Sequence, residues 1–214
     1  MTPTEIEQAA RERYNAVGST FWSQSEIFNL IYNAEMDFCN RTHCLEKTYQ
    51  TTTVASTQEY DLPTTALGVK RATWNGFKLT PINFLDDDLI TGYDADTTGS
   101  GDPRYFWVWE RKIVLRPIPS SAQTLKIWTL NYPETVSSTT TLDIDVNFHP
   151  WLIDYVTSFM VAKDENYTLA KYYMDLWESH FLHAKNLISR NKTASGFKYV
   201  RDEDDTGLSI IGVI

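Results

Sequence analysis

Histidine and acidic side chains near the C-terminal end of the chain have the composition of a metal site but not its spacing. His180 and His183 lie three residues apart, with Glu178 nearby. The zinc pattern on a helix needs two histidines four residues apart with a general-base glutamate between them. The remaining histidines, His43 and His149, supply no clear third ligand. We therefore predict no metal site, and we interpret these histidines as ordinary residues of helix surfaces or core edges.

The sequence offers no other catalytic constellation. No Gly-X-Ser-X-Gly context surrounds a serine, and no glycine-rich loop fits a phosphate-binding pattern. Asp143 with Asp145, and the acidic cluster at 202–205, could bind a hard cation, but Asp-X-Asp without a full calcium-loop signature is common by chance. Solvated charge is the simpler interpretation, although the cluster at 202–205 could face a basic groove on a partner. We predict no catalytic residue, no cofactor and no enzyme activity.

The most aromatic stretch of the chain is Tyr105-Phe-Trp-Val-Trp109. It is typical of a strand, and strand alternation places Tyr105, Trp107 and Trp109 on one face, with the two intervening residues on the other. One face must join the core. The other could be a contact between subunits, which we favour, or a platform on which a sugar ring stacks.

Two helical blocks enclose the middle of the chain. Residues 3–16 predict a first helix capped by Thr4, and the capping-box pattern Ser23-Gln-Ser-Glu26 precedes an apolar repeat that predicts a helix over about 24–44.

The second block follows the middle of the chain. Pro150 suits the first turn of a helix that runs to about Ala162, and a last helix over about 165–190 carries one apolar stripe.

The residues between the helical blocks have the signals of strands and turns. A strand from Val69 to Trp74 leads into the hairpin dipeptide Asn75-Gly76. Three further strands, at 105–109, 113–117 and 124–132, follow one another closely, so we expect them to pair in sequence as a meander.

Together these elements predict an α+β fold. Long amphipathic helices rarely stand alone in water, so the two helical blocks should pack on each other. We expect a helical bundle from residues 1–47 and 142–191, an inserted antiparallel β domain over 48–141, and an extended C-terminal tail over 192–214.

Composition limits the classes of function. The chain has 214 residues, of which 42% are hydrophobic and 14% aromatic, so it can form a substantial core. Its net charge of −9 argues against a chain that grips nucleic acid through its overall charge. It has no apolar stretch long enough to span a membrane and no signal-peptide pattern at its start. We therefore expect synthesis and use in a cytosol.

The tail is polar but ends in the apolar run Leu208-Ser-Ile-Ile-Gly-Val-Ile214. Such a segment cannot bury itself, and polar termini fray unless something holds them. A neighbouring subunit or another partner is the simplest way to hold it.

Five stretches, spread over nearly the whole chain, form a recognisable pattern. They are Phe21-Trp-Ser-Gln-Ser-Glu-Ile-Phe-Asn-Leu-Ile-Tyr-Asn-Ala34, Tyr60-Asp-Leu-Pro63, Gly101-Asp-Pro-Arg-Tyr105, Ile113-Val-Leu-Arg-Pro-Ile-Pro119 and His149-Pro-Trp-Leu-Ile-Asp-Tyr-Val156. In pattern and order these stretches resemble the head-to-tail adaptor, or connector, proteins of tailed bacteriophages.

The resemblance implies a structural virion protein of the phage neck, made in the cytoplasm of the host bacterium. Such adaptors form a ring of twelve copies that binds the portal, joins the DNA-filled head to the tail or nozzle proteins, and lets DNA pass without specific binding. The tail would dock on the portal through its apolar side chains, and the acidic charge suits a DNA channel. The docking side chains would be Phe197, Tyr199, Val200, Leu208, Ile210, Ile211, Val213 and Ile214. The alternative is a carbohydrate-binding or receptor-binding accessory module of the tail that uses the strand at 105–109.

Overall fold

The computed structural model describes residues 1–84, 99–192, 199–201 and 208–210. By their internal contacts the residues fall into two compact units. One comprises Met1–Thr42 and Thr135–Ile214 and is helical, and the other comprises His43–Glu134 and is built of strands. The predicted α+β class is confirmed.

The described part of the helical unit contains four α-helices. They are α1 (Pro3–Arg13), α2 (Gln24–Thr42), α3 (His149–Lys163) and α4 (Tyr167–Lys192). Among the helices in the described ranges, none is both long enough and apolar enough to cross a membrane.

The first helix begins earlier than predicted. Its cap is Thr2 rather than Thr4: the Thr2 hydroxyl accepts a hydrogen bond from the Glu5 amide at 3.2 Å, and the Glu5 carboxylate accepts one from the Thr2 amide at 2.9 Å. The reason is Pro3, which lacks an amide hydrogen and has the backbone angle of a first helical residue, so the cap must precede it. The predicted cap of α2 is present, since the Ser23 hydroxyl accepts from the Glu26 amide at 3.3 Å.

Helix α3 is the centre of the helical unit. It packs against α1, α2 and α4, and its side chains are largely apolar around its whole circumference, as in a buried helix. The aromatic ring of Phe38 on α2 contacts those of Phe148, Trp177 and Phe181, with centroid distances of 5.1, 6.1 and 6.4 Å. The largest fully buried apolar side chains of this unit are Ile6, Ile27, Ile31, Phe38, Leu152 and Trp177.

The β unit contains two four-stranded sheets. In the first sheet the strands lie side by side in the order β1, β10, β3 and β4, and in the second in the order β2, β8, β7 and β5. The bounds are β1 (Glu46–Thr52), β2 (Glu59–Asp61), β3 (Ala66–Trp74), β4 (Phe77–Lys78), β5 (Thr80–Pro81), β6 (Ser100–Gly101), β7 (Tyr105–Trp109), β8 (Lys112–Arg116), β9 (Ile118–Pro119) and β10 (Thr124–Asn131). The short strands β6 and β9 pair with each other in parallel.

The predicted meander is wrong in its last strand. Strands β7 and β8 pair antiparallel as expected, but β10 lies between β1 and β3, antiparallel to both. The edge of β8 that faces away from β7 is paired with β2, which comes from an earlier part of the chain, so β10 cannot pair there. Because β10 alternates buried and less buried residues over its full length, it suits the centre of the first sheet, where β1 pairs with seven of its residues.

The hairpin predicted at Asn75-Gly76 is present and joins β3 to β4. Both residues have positive φ angles, 48° for Asn75 and 81° for Gly76, as the tight two-residue hairpin turn requires. The apolar core of the β unit combines both sheets. Its buried members are Leu62, Ala72, Trp74, Leu79, Phe106, Ile113, Leu115, Leu125 and Ile127.

Candidate assembly surfaces

The histidines considered for metal binding have structural contacts instead. The ring of His180 stacks on Trp151 at 5.3 Å, and its Nδ1 lies 3.0 Å from Oδ2 of Asp154 without the alignment of a hydrogen bond. Asp154 is buried and also accepts a hydrogen bond from Arg13. The group therefore ties α1, α3 and α4 together.

The other residues weighed as metal ligands also have separate structural roles. His183 contacts the edge of Trp151, and His149 is buried with its Nε2 2.9 Å from the carbonyl oxygen of Ile144. Asp145 accepts a hydrogen bond from the Asn147 amide and so caps the short helical turn Val146–Phe148. In the parts of the chain that the structure describes, no three His, Cys, Asp or Glu residues come close enough to hold a metal ion, and the cluster at 202–205 lies outside those parts.

Glu178, considered above beside the histidines, pairs with Arg41 across the α2–α4 contact. The Arg41 guanidinium donates two hydrogen bonds to its carboxylate, at 2.8 and 2.5 Å, and a third to Asp37 at 3.1 Å. It also lies 3.7 Å from the centroid of the Phe181 ring. The bonds from Arg41 lower the pKa of Glu178 despite the opposing effect of burial. The two residues are 137 positions apart, so no local sequence pattern predicts this pair.

Helix α3 carries aromatic side chains that its neighbours do not fully cover. Tyr155 and Phe159 lie one turn apart with centroids 4.8 Å from each other, and Tyr155 also packs edge-on against Trp177. Burial raises the pKa of the Tyr155 hydroxyl, and the charge of Asp37 adds to the rise. Phe159 remains 40% exposed although the helix is apolar on all sides.

Other large apolar side chains of the helical unit also face solvent. Six of these exposed side chains, which we call the apolar surface set, lie in the α1–α2 connection and on α3 and α4. It consists of Val17, Phe21, Phe159, Tyr167, Tyr172 and Leu182. Apolar side chains that are exposed singly are ordinary, whereas those that lie side by side commonly mark a contact with another protein.

The strand at 105–109 exposes less of its predicted aromatic row than alternation suggests. Tyr105 is half-buried, Trp107 is 6% exposed, and Trp109 is 55% exposed. Phe84 packs on both indoles, with centroids 6.2 Å from Trp107 and 5.3 Å from Trp109. A sugar platform needs several aligned and accessible rings, whereas in this row only the indole of Trp109 is exposed, and Phe84 covers part of it.

Tyr105 also lines a surface cavity of about 420 Å³ at the other end of the strand. Aromatic and charged side chains share its wall, among them Phe77, Lys78, Asp102 and Arg104.

The tail residues predicted to dock on a partner lie partly within the described residues. Tyr199 and Val200 belong to strand β11 (Tyr199–Arg201), and Leu208 and Ile210 belong to β12 (Leu208–Ile210), which pairs with it antiparallel. The remaining four, Phe197, Ile211, Val213 and Ile214, lie outside the described residues.

Comparison with known families agrees with the resemblance seen in the sequence. Residues 1–196 match the family described as SU10 adaptor protein, and the chain belongs to this family. No curated protein matches the chain in sequence. The family confirms the predicted resemblance to phage head-to-tail adaptors.

Membership of an adaptor family makes this chain a structural adaptor of a phage, and therefore a component of the virion. An adaptor associates with other head and tail proteins of the phage, and the family points to structure rather than catalysis.

Proposed function

We propose that this chain forms a ring, of twelve copies, that binds the portal and joins the DNA-filled capsid to the tail. The observation that carries the proposal is the family match over residues 1–196, because it covers both units of the chain. Neighbouring copies of the chain, the portal above, and tail or nozzle proteins below are its partners, and DNA passes through the ring.

The apolar surface set supports contacts between copies. In a closed ring each copy uses two different surfaces, so each presents more apolar area than a monomer needs. Phe159 is at the centre of this argument, because it is the exposed aromatic residue of an otherwise packed helix. We further propose that Tyr105 and Trp109 contact a neighbouring copy, and that the buried Trp107 supports this surface from beneath.

The net charge of −9 supports the passage of DNA. A ring that repels phosphate overall does not trap the genome during ejection, since the attraction that holds DNA on a protein comes mainly from Lys and Arg contacts to phosphate.

Docking on the portal is assigned to the tail over 192–214. Its docking side chains, from Phe197 to Ile214, begin where the family match ends, so their role rests on their apolar pattern and on the pairing of β11 with β12. An isolated two-stranded hairpin is marginally stable in water, so a binding surface that covers it would stabilise it. Folding of the tail and binding would then be coupled.

A portal-binding assay tests this assignment. The full-length chain, a chain that ends at Asn191, and a full-length chain with Ile210→Ser and Ile211→Ser are each mixed with purified portal and analysed by sedimentation. We expect both altered chains to bind at least about tenfold more weakly, because the double variant loses about six apolar side-chain carbons that the portal would cover. The matched control carries Ser195→Ala and Ser209→Ala and should bind normally. Normal binding by the chain that ends at Asn191 contradicts tail docking.

A further inference from the structure

The outward face of the first sheet is cationic on a chain that is acidic overall. Leu125 and Ile127 of β10 point into the core and are fully buried, so the alternate residues Lys126 and Trp128 belong to the opposite face. Arg71 of β3 is the register partner of Trp128, and Thr48 of β1 is its partner on the other side. Paired residues share a face of a sheet, so these four side chains lie together.

The indole ring of Trp128 forms cation–π contacts with two positively charged side chains, Arg71 and Lys126. The guanidinium carbon of Arg71 lies 5.0 Å from the centroid of its ring, and the ammonium nitrogen of Lys126 lies 4.9 Å from it. Within the described residues, neither cation forms an ion pair with a carboxylate. Cation–π contact restricts both side chains without neutralising them, so less conformational entropy is lost when an anion binds.

The other exposed side chains of this face are better suited to bind a polyanion than to bind the apolar surface of a protein. Lys70 lies 2.7 Å from Glu46, so one cation of the face is balanced by one carboxylate. Along β1 the exposed residues Thr48, Gln50 and Thr52 are hydrogen-bonding rather than apolar. A protein partner would gain little apolar burial here, whereas Thr, Gln, Lys and Arg side chains are the usual donors to phosphate oxygens.

We propose that this surface, comprising Thr48, Gln50, Lys70, Arg71, Lys126 and Trp128, binds the phosphate backbone of DNA without regard to base sequence. Arg71 and Lys126 donate to phosphate oxygens, Trp128 positions both cations, and Thr48 and Gln50 supply neutral donors. The overall charge of the chain keeps this contact weak and dependent on salt. The contact is separate from the ring and portal contacts proposed above and does not rest on them.

The test measures binding of the full-length chain to a fluorescein-labelled duplex of about 30 base pairs by anisotropy, between about 50 and 200 mM salt. We expect the double variant Arg71→Gln, Lys126→Gln to bind about tenfold more weakly at low salt. Its slope of log affinity against log salt should be smaller by about two, since each phosphate contact contributes about one. Duplexes rich in A·T and in G·C should bind equally well.

Two matched variants control for charge and folding. Lys171→Gln with Lys185→Gln makes the same charge change at exposed positions of α4 and should leave affinity nearly unchanged. Arg71→Lys with Lys126→Arg keeps both charges and should retain binding.

Absence of binding by the unaltered chain overturns the proposal, and so does an equal loss in the α4 control. If the Arg71, Lys126 variant instead loses self-association in sedimentation while DNA binding is unchanged, the surface is a contact between copies and the proposal is wrong.

Discussion

Replacement of Glu178 by glutamine should weaken the α2–α4 contact in a way that depends on pH. The substitution keeps the size of the side chain but removes the charge that receives two hydrogen bonds from Arg41. Arg41 still forms its ion pair with Asp37 at 3.1 Å, so the guanidinium charge keeps an acidic partner. The change therefore isolates the contribution of one ion pair.

The expected loss of unfolding free energy near neutral pH is about 1 kcal/mol. Exposed ion pairs contribute about 0.2–1 kcal/mol, and bidentate Arg–carboxylate pairs with charged hydrogen bonds lie at the upper end. The side chains of Arg41 and Glu178 are 33% and 47% exposed, so solvent screens the pair and a larger value is not expected.

The sign of the pH dependence follows from the lowered pKa of Glu178. Because the folded chain binds this proton less readily than the unfolded chain, the pair stabilises the fold above the ordinary glutamate pKa of about 4.3. This contribution is lost as the pH falls through the lower folded pKa. The difference in unfolding free energy between the unaltered chain and Glu178→Gln should thus be largest near neutral pH and shrink below about pH 4.

Urea unfolding followed by helical circular dichroism measures this difference at several pH values. Asp175→Asn, an exposed change one turn earlier on α4, is the control and should be close to neutral. An equal effect of both substitutions, or a Glu178→Gln effect that stays constant from neutral to acidic pH, would refute the reasoning.

Three further substitutions test the packing, the turn chemistry and the apolar surface set. Phe38→Ala should cost about 3–5 kcal/mol in urea unfolding, because its ring is buried among three others, and a cost below about 1 kcal/mol would contradict that packing. Gly76→Ala should cost about 1 kcal/mol because φ is 81°, and an unchanged urea midpoint would contradict the turn assignment. Phe159→Ser should lower ring formation in sedimentation while stability falls by less than about 1.5 kcal/mol, and unchanged assembly would remove Phe159 from the contact between copies.

Local signals were sufficient for the helices and the hairpin. The apolar repeat behind Ser23 predicted α2, and Pro150 marked the start of α3, because caps and periodicity act over a few residues. Asn75-Gly76 predicted its turn for the same reason. The cap of α1 lies two residues before the predicted Thr4, because Pro3 favours the first helical position and so places the cap at Thr2.

The contacts that the sequence did not reveal are between distant residues. The position of β10 depends on β1 and β3, which compete for it with β8, the long strand that precedes it in the chain. Trp107 is buried rather than exposed because Phe84, from an earlier segment, packs over the row that alternation alone describes. The pairing of Arg41 with Glu178 likewise needs the fold to bring two helices together.

The most direct test of the central proposal is a cryo-electron microscopy reconstruction of the native phage particle that contains this chain. The proposal predicts a twelvefold ring against the portal, with residues 192–214 extended onto the portal and Phe159 covered by a neighbouring copy. A peripheral position on the tail, with Trp109 facing solvent and no contact with the portal, would contradict it.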